Sequence, residues 1–231
     1  MRKTTLICLL SILTINSFAQ EKAFQFGIRG GMNCSSAWVN DVSGSKFKLG
    51  YHIGATVDYQ LSKKFLLQSG LFFTAKGSKQ EDLDASSYVG GRPDWTHTFN
   101  QLYLEIPIYA AWRMEVSKSL DLILGAGPYF AYGIGGESKQ KLNSGVWANG
   151  ETQHTWKTFG DGVFDKNLDW LHNEALDRFD FGLGLKADLA YKRYVLGLGA
   201  SMSLIDVMNN RNFPELHYRN INLSLSLGYM F

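Results

Sequence analysis

The chain has 231 residues, 14% of them aromatic, with 24 glycines against 4 prolines and a formal net charge of +2. A near-neutral balance leaves no electrostatic footprint for nucleic acid, and the aromatic and glycine content argues against disorder. The length suits one domain of barrel or sandwich type, and two cysteines build no disulfide framework.

Met1-Arg-Lys is a short basic stretch, Leu6 to Ile15 is apolar with breaks at Ser11 and Thr14, and Ser17-Phe18-Ala19 supplies small residues where a signal peptidase reads. Residues 1–19 are therefore expected to be a cleaved secretory signal peptide and residues 20–231 the mature domain. The apolar run is too short for a bilayer, which needs roughly 20 residues. Cys8 lacks the small residues of a lipoprotein box before it. Cleavage removes two bases and no acid, so the mature chain is formally neutral and keeps one thiol, Cys34.

From there a period of two dominates, predicting strands with one apolar and one polar face. The first places Phe24, Phe26, Ile28, Gly30, Met32 and Cys34 together, and the second Phe47, Leu49, Tyr51, Ile53, Ala55, Val57, Tyr59 and Leu61. A third runs near Phe65 to Thr74. The fourth carries Leu102, Leu104, Ile106, Ile108, Ala110 and Trp112, and the fifth Leu120, Leu122, Leu124, Ala126 and Phe130. The sixth uses Phe179, Phe181, Leu183, Leu185, Ala187 and Leu189, the seventh Tyr194, Leu196, Leu198, Ala200, Met202 and Leu204, and the eighth Ile221 to Phe231.

Alternation over ten or more residues exceeds ordinary globular strands and matches the roughly 9 to 11 residues needed to cross a membrane at a tilt. Short connections at 62–64, 114–119 and 192–193 alternate with long ones at 35–46, 75–96, 135–177 and 205–219. The expected fold is all-β: an eight-stranded antiparallel up-and-down transmembrane β-barrel with short periplasmic turns and long extracellular loops, closed so that lipid meets no open edge. Outward aromatics form two girdles, Tyr59, Phe65, Trp112, Tyr191, Tyr194, Tyr229 and Phe231 by the short turns, and Phe47, Tyr51, Phe73, Phe130 and Phe179 by the loops. The terminal strand, through Leu227, Tyr229 and Phe231, is the expected outer-membrane insertion signal read by the barrel-assembly machinery. A soluble lipocalin-like binder is the alternative, in which the apolar face would line a calyx.

On the inward face, Arg29, His52, Glu105 and Lys186 fall at mid-depth, with Asp58 and Asp188 lower and Lys48, Lys76 and Asp180 higher. Charges inside a narrow barrel need partners, so an Arg29–Glu105–Lys186 network is expected, with a selectivity constriction as the functional alternative. Inward glycines, Gly54, Gly182 and Gly184 among them, leave room for Phe72, Tyr103, Tyr109 and Tyr129 to pack across them. Pro107, with no donor, predicts a bulge in the fourth strand.

The loop 135–177 carries Trp147, Trp156 and Trp170, with Phe159 and Phe164, and is the candidate recognition surface. Residues 168–176 suggest a short helix. Asp161, Asp165 and Asp169 do not follow an EF-hand spacing, so neither metal nor cofactor is expected. His97, His154, His172 and His217 lie in loops without a local nucleophile motif, and no enzyme activity is expected.

Phe26-Gly-Ile-Arg-Gly-Gly-Met-Asn33, Tyr103-Leu-Glu-Ile-Pro-Ile108, Gly125-Ala-Gly-Pro-Tyr129, Arg178-Phe-Asp-Phe-Gly-Leu-Gly184 and Gly228-Tyr-Met-Phe231 together resemble the PorT-like group of small outer-membrane β-barrels over essentially the whole mature length. The resemblance implies an integral protein of the cell outer membrane, and its namesake's association with export of surface proteins implies an accessory role in secretion. The expected function is non-enzymatic: a structural or accessory barrel in outer-membrane lipid whose loops contact an envelope or secretion protein. A small porin-like channel or ligand-binding barrel is the alternative.

Overall fold

Alternating apolar and small or polar residues give the backbone two unlike faces, and a closed antiparallel ladder satisfies every wall strand on both sides. A computed structural model describes residues 23–39, 45–82, 95–142, 152–159, 176–207 and 217–231. The expected signal peptide at 1–19 lies outside them. The strands are β1 (Phe24–Val39), β2 (Ser45–Lys46), β3 (Lys48–Gln60), β4 (Phe65–Asp82), β5 (Trp95–Ser117), β6 (Leu120–Gly135), β7 (Glu137–Leu142), β8 (Gln153–Lys157), β9 (Phe179–Tyr191), β10 (Tyr194–Ser203) and β11 (Tyr218–Met230).

Eight of these close a ring in the order β1, β3, β4, β5, β6, β9, β10, β11, with β11 returning to β1 and every neighbour antiparallel. They are the eight expected strands. The other three are short: β2 adds to the far end of β4, β7 adds to the far end of β5, and β8 pairs with β7.

Strand extents depart from the sequence reading at the long-loop end. The segment 75–82 continues β4, 95–101 begins β5, and the loop 135–177 contains β7 and β8. Here the pairing goes on while both faces turn polar, as in Lys79-Gln80 against Thr96-His97-Thr98, so the apolar period that marks a strand is lost before the ladder ends. Gly136 joins β6 to β7 with φ 141°, a conformation that favours glycine, and a Cβ there would collide with the Asn100 carbonyl.

The bulge expected at Pro107 is absent. Its missing N–H interrupts the β4–β5 ladder between the Ser69–Ile108 and Phe72–Glu105 pairs without changing register, and Ser69 Oγ donates to the Pro107 carbonyl at 2.8 Å. The register shifts of β5 against β6 lie instead at 102–103 and 115–117.

The outward face is a continuous apolar band. Ile53, Leu67, Leu185, Leu198, Leu225 and Leu227 are all exposed, while their chain neighbours point inward. Buried residues lie within the ring, in two clusters. At the long-loop end Phe99, Tyr103, Tyr129, Ala131 and Tyr218 pack with Phe159, Leu176 and Val207 from the connections. Near the short turns Leu66, Ala111 and Ile123 pack together.

Candidate functional site

The lumen between the two clusters is polar, and Arg29, Lys76, Glu105, Lys186 and Asp188 form ion pairs within it. Arg29 on β1 donates through both terminal nitrogens to the two carboxylate oxygens of Asp188 on β9, each at 2.9 Å, and Lys186 Nζ lies 2.9 Å from the same carboxylate. The Asp188 side chain is 1% exposed, so a single buried anion serves two cations across the lumen.

Glu105 is the correction to the expected network. It pairs with Lys76 of β4, whose side chain is 1% exposed, rather than with Arg29 or Lys186. The Lys76 ammonium also stands 4.5 Å from the centre of the Tyr129 ring. Lys76 and Glu105 face the lumen from neighbouring strands four residues out of register, Lys76 opposing Gln101 and Glu105 opposing Phe72, and the length of their side chains closes the gap.

Higher still, Asp180 accepts from Ser203 Oγ at 2.7 Å and Asn220 Nδ2 at 3.0 Å, and the Tyr129 hydroxyl lies 3.3 Å away. Gln101 Nε2 donates to the Tyr218 hydroxyl at 2.9 Å, and Ser78 Oγ lies 2.7 Å from it. The inward parity that marked the charged residues also selects these polar ones. Nothing local in the sequence joins them.

His52 and Asp58 take neutral partners. Asn33 spends its amide hydrogens on the Tyr51 and Ala75 carbonyls at 3.1 and 3.2 Å, which leaves Oδ1 to accept from His52 Nδ1 at 2.7 Å and sets the imidazole tautomer. Gln68 Nε2 donates to Asp58 at 2.7 Å. Arg29, His52, Asp58, Gln68, Tyr109 and Lys186 line a cavity of about 90 Å³, with polar partners for a few water molecules.

Rings fill much of the remaining space left by glycine. A Cβ at Gly54 would meet the Phe72 ring at 2.6 Å, one at Gly182 the Tyr129 ring at 2.5 Å, and one at Gly184 the Tyr109 hydroxyl at 2.5 Å. Tyr103 instead packs edge-on to Phe159, with ring centres 5.2 Å apart.

A closed eight-stranded ring with an apolar outside and a polar, ion-paired inside suits lipid around it and not water. The profile of the outer membrane protein beta-barrel domain family matches residues 18–209. The chain belongs to that family. As an outer-membrane barrel it resembles several solved structures in the course of its chain. Ail, the attachment invasion locus protein of Yersinia pestis, is 12% identical with a TM-score of 0.43, over 90% of this chain and 98% of its own. Neisserial surface protein A is 12% identical with a TM-score of 0.41, over 89% and 97%. The outer membrane protease OmpT of Escherichia coli is 12% identical with a TM-score of 0.42, over 94% and 99%. No curated protein matches the sequence.

Of the three tryptophans expected to mark recognition, Trp147 and Trp170 lie outside the described residues, as do Phe164, the three aspartates and all but the last residue of the expected short helix. Trp156 is on β8, half-buried, with its ring edge-on to Phe99 at 6.4 Å. It packs on the long-loop cluster and so holds the β7–β8 hairpin to the barrel. Phe159 is pinned above the lumen by the Leu176 N–H donating to the Thr158 carbonyl at 2.8 Å, with Arg178 over its ring at 6.0 Å. In the terminal strand Leu227 and Phe231 are exposed and Tyr229 is half-buried on the same outward face.

Proposed function

We propose that this outer-membrane barrel is a non-enzymatic structural or accessory component that works through its long-loop end, held outside the cell, and not by conducting solutes. The observation that carries the reading is the packing of the long-loop end of the lumen, where Tyr103, Leu176, Val207 and Tyr218 are 0% exposed, while Leu66, Ala111 and Ile123 pack together near the short turns. An eight-stranded barrel is just wide enough for its own side chains, and here they are paired and packed.

Beyond the long-loop end stands a sheet extension of β7, β8 and the far parts of β4 and β5, a paired scaffold of the kind that carries recognition loops. The PorT-like resemblance extends the reading to an envelope or secretion partner, with the loop around Trp147, Trp156 and Trp170 as the contact and Leu227, Tyr229 and Phe231 as the signal to the barrel-assembly machinery.

The test combines two measurements. In planar bilayers the purified protein is expected to show no discrete openings. A photo-crosslinker at exposed Thr155 or Lys157 is expected to capture one envelope protein in intact cells. Discrete openings that change when Arg29 or Glu105 is neutralised, with no captured protein, would replace this reading with the small channel.

A further inference from the structure

The short-turn rim carries cations that neither the lumen nor the loops use. The turns are Ser62-Lys63-Lys64, Lys118-Ser119 and Lys192-Arg193, all exposed, and none contains an acid. Two of them are joined, because the Lys192 N–H donates to the Ser119 carbonyl at 3.1 Å, which brings Lys118, Lys192 and Arg193 onto one side of the rim.

The Lys192-Arg193 turn connects the paired residues Tyr191 and Tyr194, and Lys192 has φ 55°. A two-residue hairpin with a left-handed first position favours asparagine or glycine, so lysine stands there against the conformational preference. Both side chains fold back onto the barrel wall. Lys192 Nζ sits 5.4 Å from the centre of the Tyr191 ring, and Arg193 donates to the Tyr229 hydroxyl at 3.2 Å. Tyr229 in turn stacks edge-on with Tyr194 at 5.5 Å and with Phe231 at 5.8 Å.

The cations are thus held at the perimeter, beside aromatics at the lipid boundary, and not beneath the lumen. Among the described residues the acids nearest the rim are Asp121, engaged by Arg113 at 3.7 Å, and exposed Glu115, both on the hairpin that carries Lys118, so the net positive charge rests chiefly on Lys192 and Arg193. An aromatic shelf with a forked guanidinium and two ammonium groups at its edge matches a phosphodiester headgroup whose acyl chains run up the wall.

We propose that the β9–β11 side of the short-turn rim is a binding site for an anionic glycerophospholipid, with Arg193 and Lys192 on the phosphate, Lys118 in support, and Tyr191, Tyr194, Tyr229 and Phe231 against the glycerol and upper acyl chains. Zwitterionic lipid offers the same apolar contact without the net charge, so the site discriminates by charge.

The full chain, placed in nanodiscs of equal parts phosphatidylcholine and phosphatidylglycerol, is released into mild detergent and its retained lipids are counted by native mass spectrometry. Phosphatidylglycerol is expected to be retained preferentially. The double variant Lys192→Asn, Arg193→Gln is expected to lower the ratio of the two lipids roughly two- to fivefold, as is salt that shortens the screening length to about 3 Å. Asparagine suits the turn, so folding is preserved, as gel mobility with and without boiling would verify. Should that variant fail to fold, Tyr229→Phe removes the anchor of Arg193 while keeping both charges, and a smaller drop is expected. Lys139→Gln with Lys141→Gln, exposed at the opposite end, is expected to leave the ratio unchanged. An unaltered ratio in the rim variants, or an equal loss in the opposite-end control, would each overturn the assignment.

Discussion

Replacing Asp188 with asparagine tests the lumen network at its most connected atom pair. The carboxylate accepts two hydrogen bonds from Arg29 and lies within ion-pair distance of Lys186, all at 2.9 Å and at a site where it is 1% exposed. Charge-assisted bonds are each worth about 1.5–3 kcal/mol. Asparagine keeps one acceptor oxygen but no charge, so all three contacts lose their ionic part, at least one donor loses its acceptor, and two cations remain near each other without an anion. Water in the adjoining cavity recovers part of the loss, which leaves an expected destabilisation of about 3–5 kcal/mol. Arg29→Met leaves the Lys186–Asp188 pair intact and is expected to cost less, about 1–2 kcal/mol. Reversible urea unfolding in lipid vesicles, followed by tryptophan fluorescence, measures both. A loss below about 1 kcal/mol for Asp188→Asn, or an equal loss for the two variants, would refute the claim that one anion neutralises two cations.

Further outcomes are expected on the two faces of the wall. Gly182→Ala puts a methyl group against the Met202 carbonyl oxygen and 2.5 Å from the Tyr129 ring, so about 1–3 kcal/mol of stability should be lost, whereas Gly135→Ala, with nothing within 4 Å, should change the urea midpoint little. Leu198→Arg on the outward face should cost about 2–4 kcal/mol when the barrel folds into vesicles, and a neutral result would mean water on that face. In gels, the membrane fraction should migrate differently with and without boiling, because a closed ladder resists detergent until heated; identical mobility would argue against a closed barrel.

The sequence shows the barrel plainly because lipid and lumen are opposite solvents and a strand meets each with alternate residues. Phe24 to Cys34, Phe47 to Leu61 and Ile221 to Phe231 each state their inward and outward faces without reference to any other strand. Where neither face meets lipid, as in 75–82 and 137–142, that contrast disappears and the paired backbone is invisible to the same reading. His52 with Asn33 and Asp58 with Gln68 were equally hidden, since polar partners carry no periodic mark.

What the sequence by itself determined was parity: which residues face inward, that Arg29, Glu105, Lys186 and Asp188 share the lumen, and that the ring has eight strands. What only the tertiary structure decided was who meets whom. Arg29 and Asp188 sit on β1 and β9, separated in the ring by β11 and β10, and they touch because tilted strands in a narrow barrel bring different depths to one level across the lumen. Lys76 and Glu105 meet from adjacent strands although four residues separate them in register. Alternation is a property of one strand at a time, whereas depth is set by the register of all eight together.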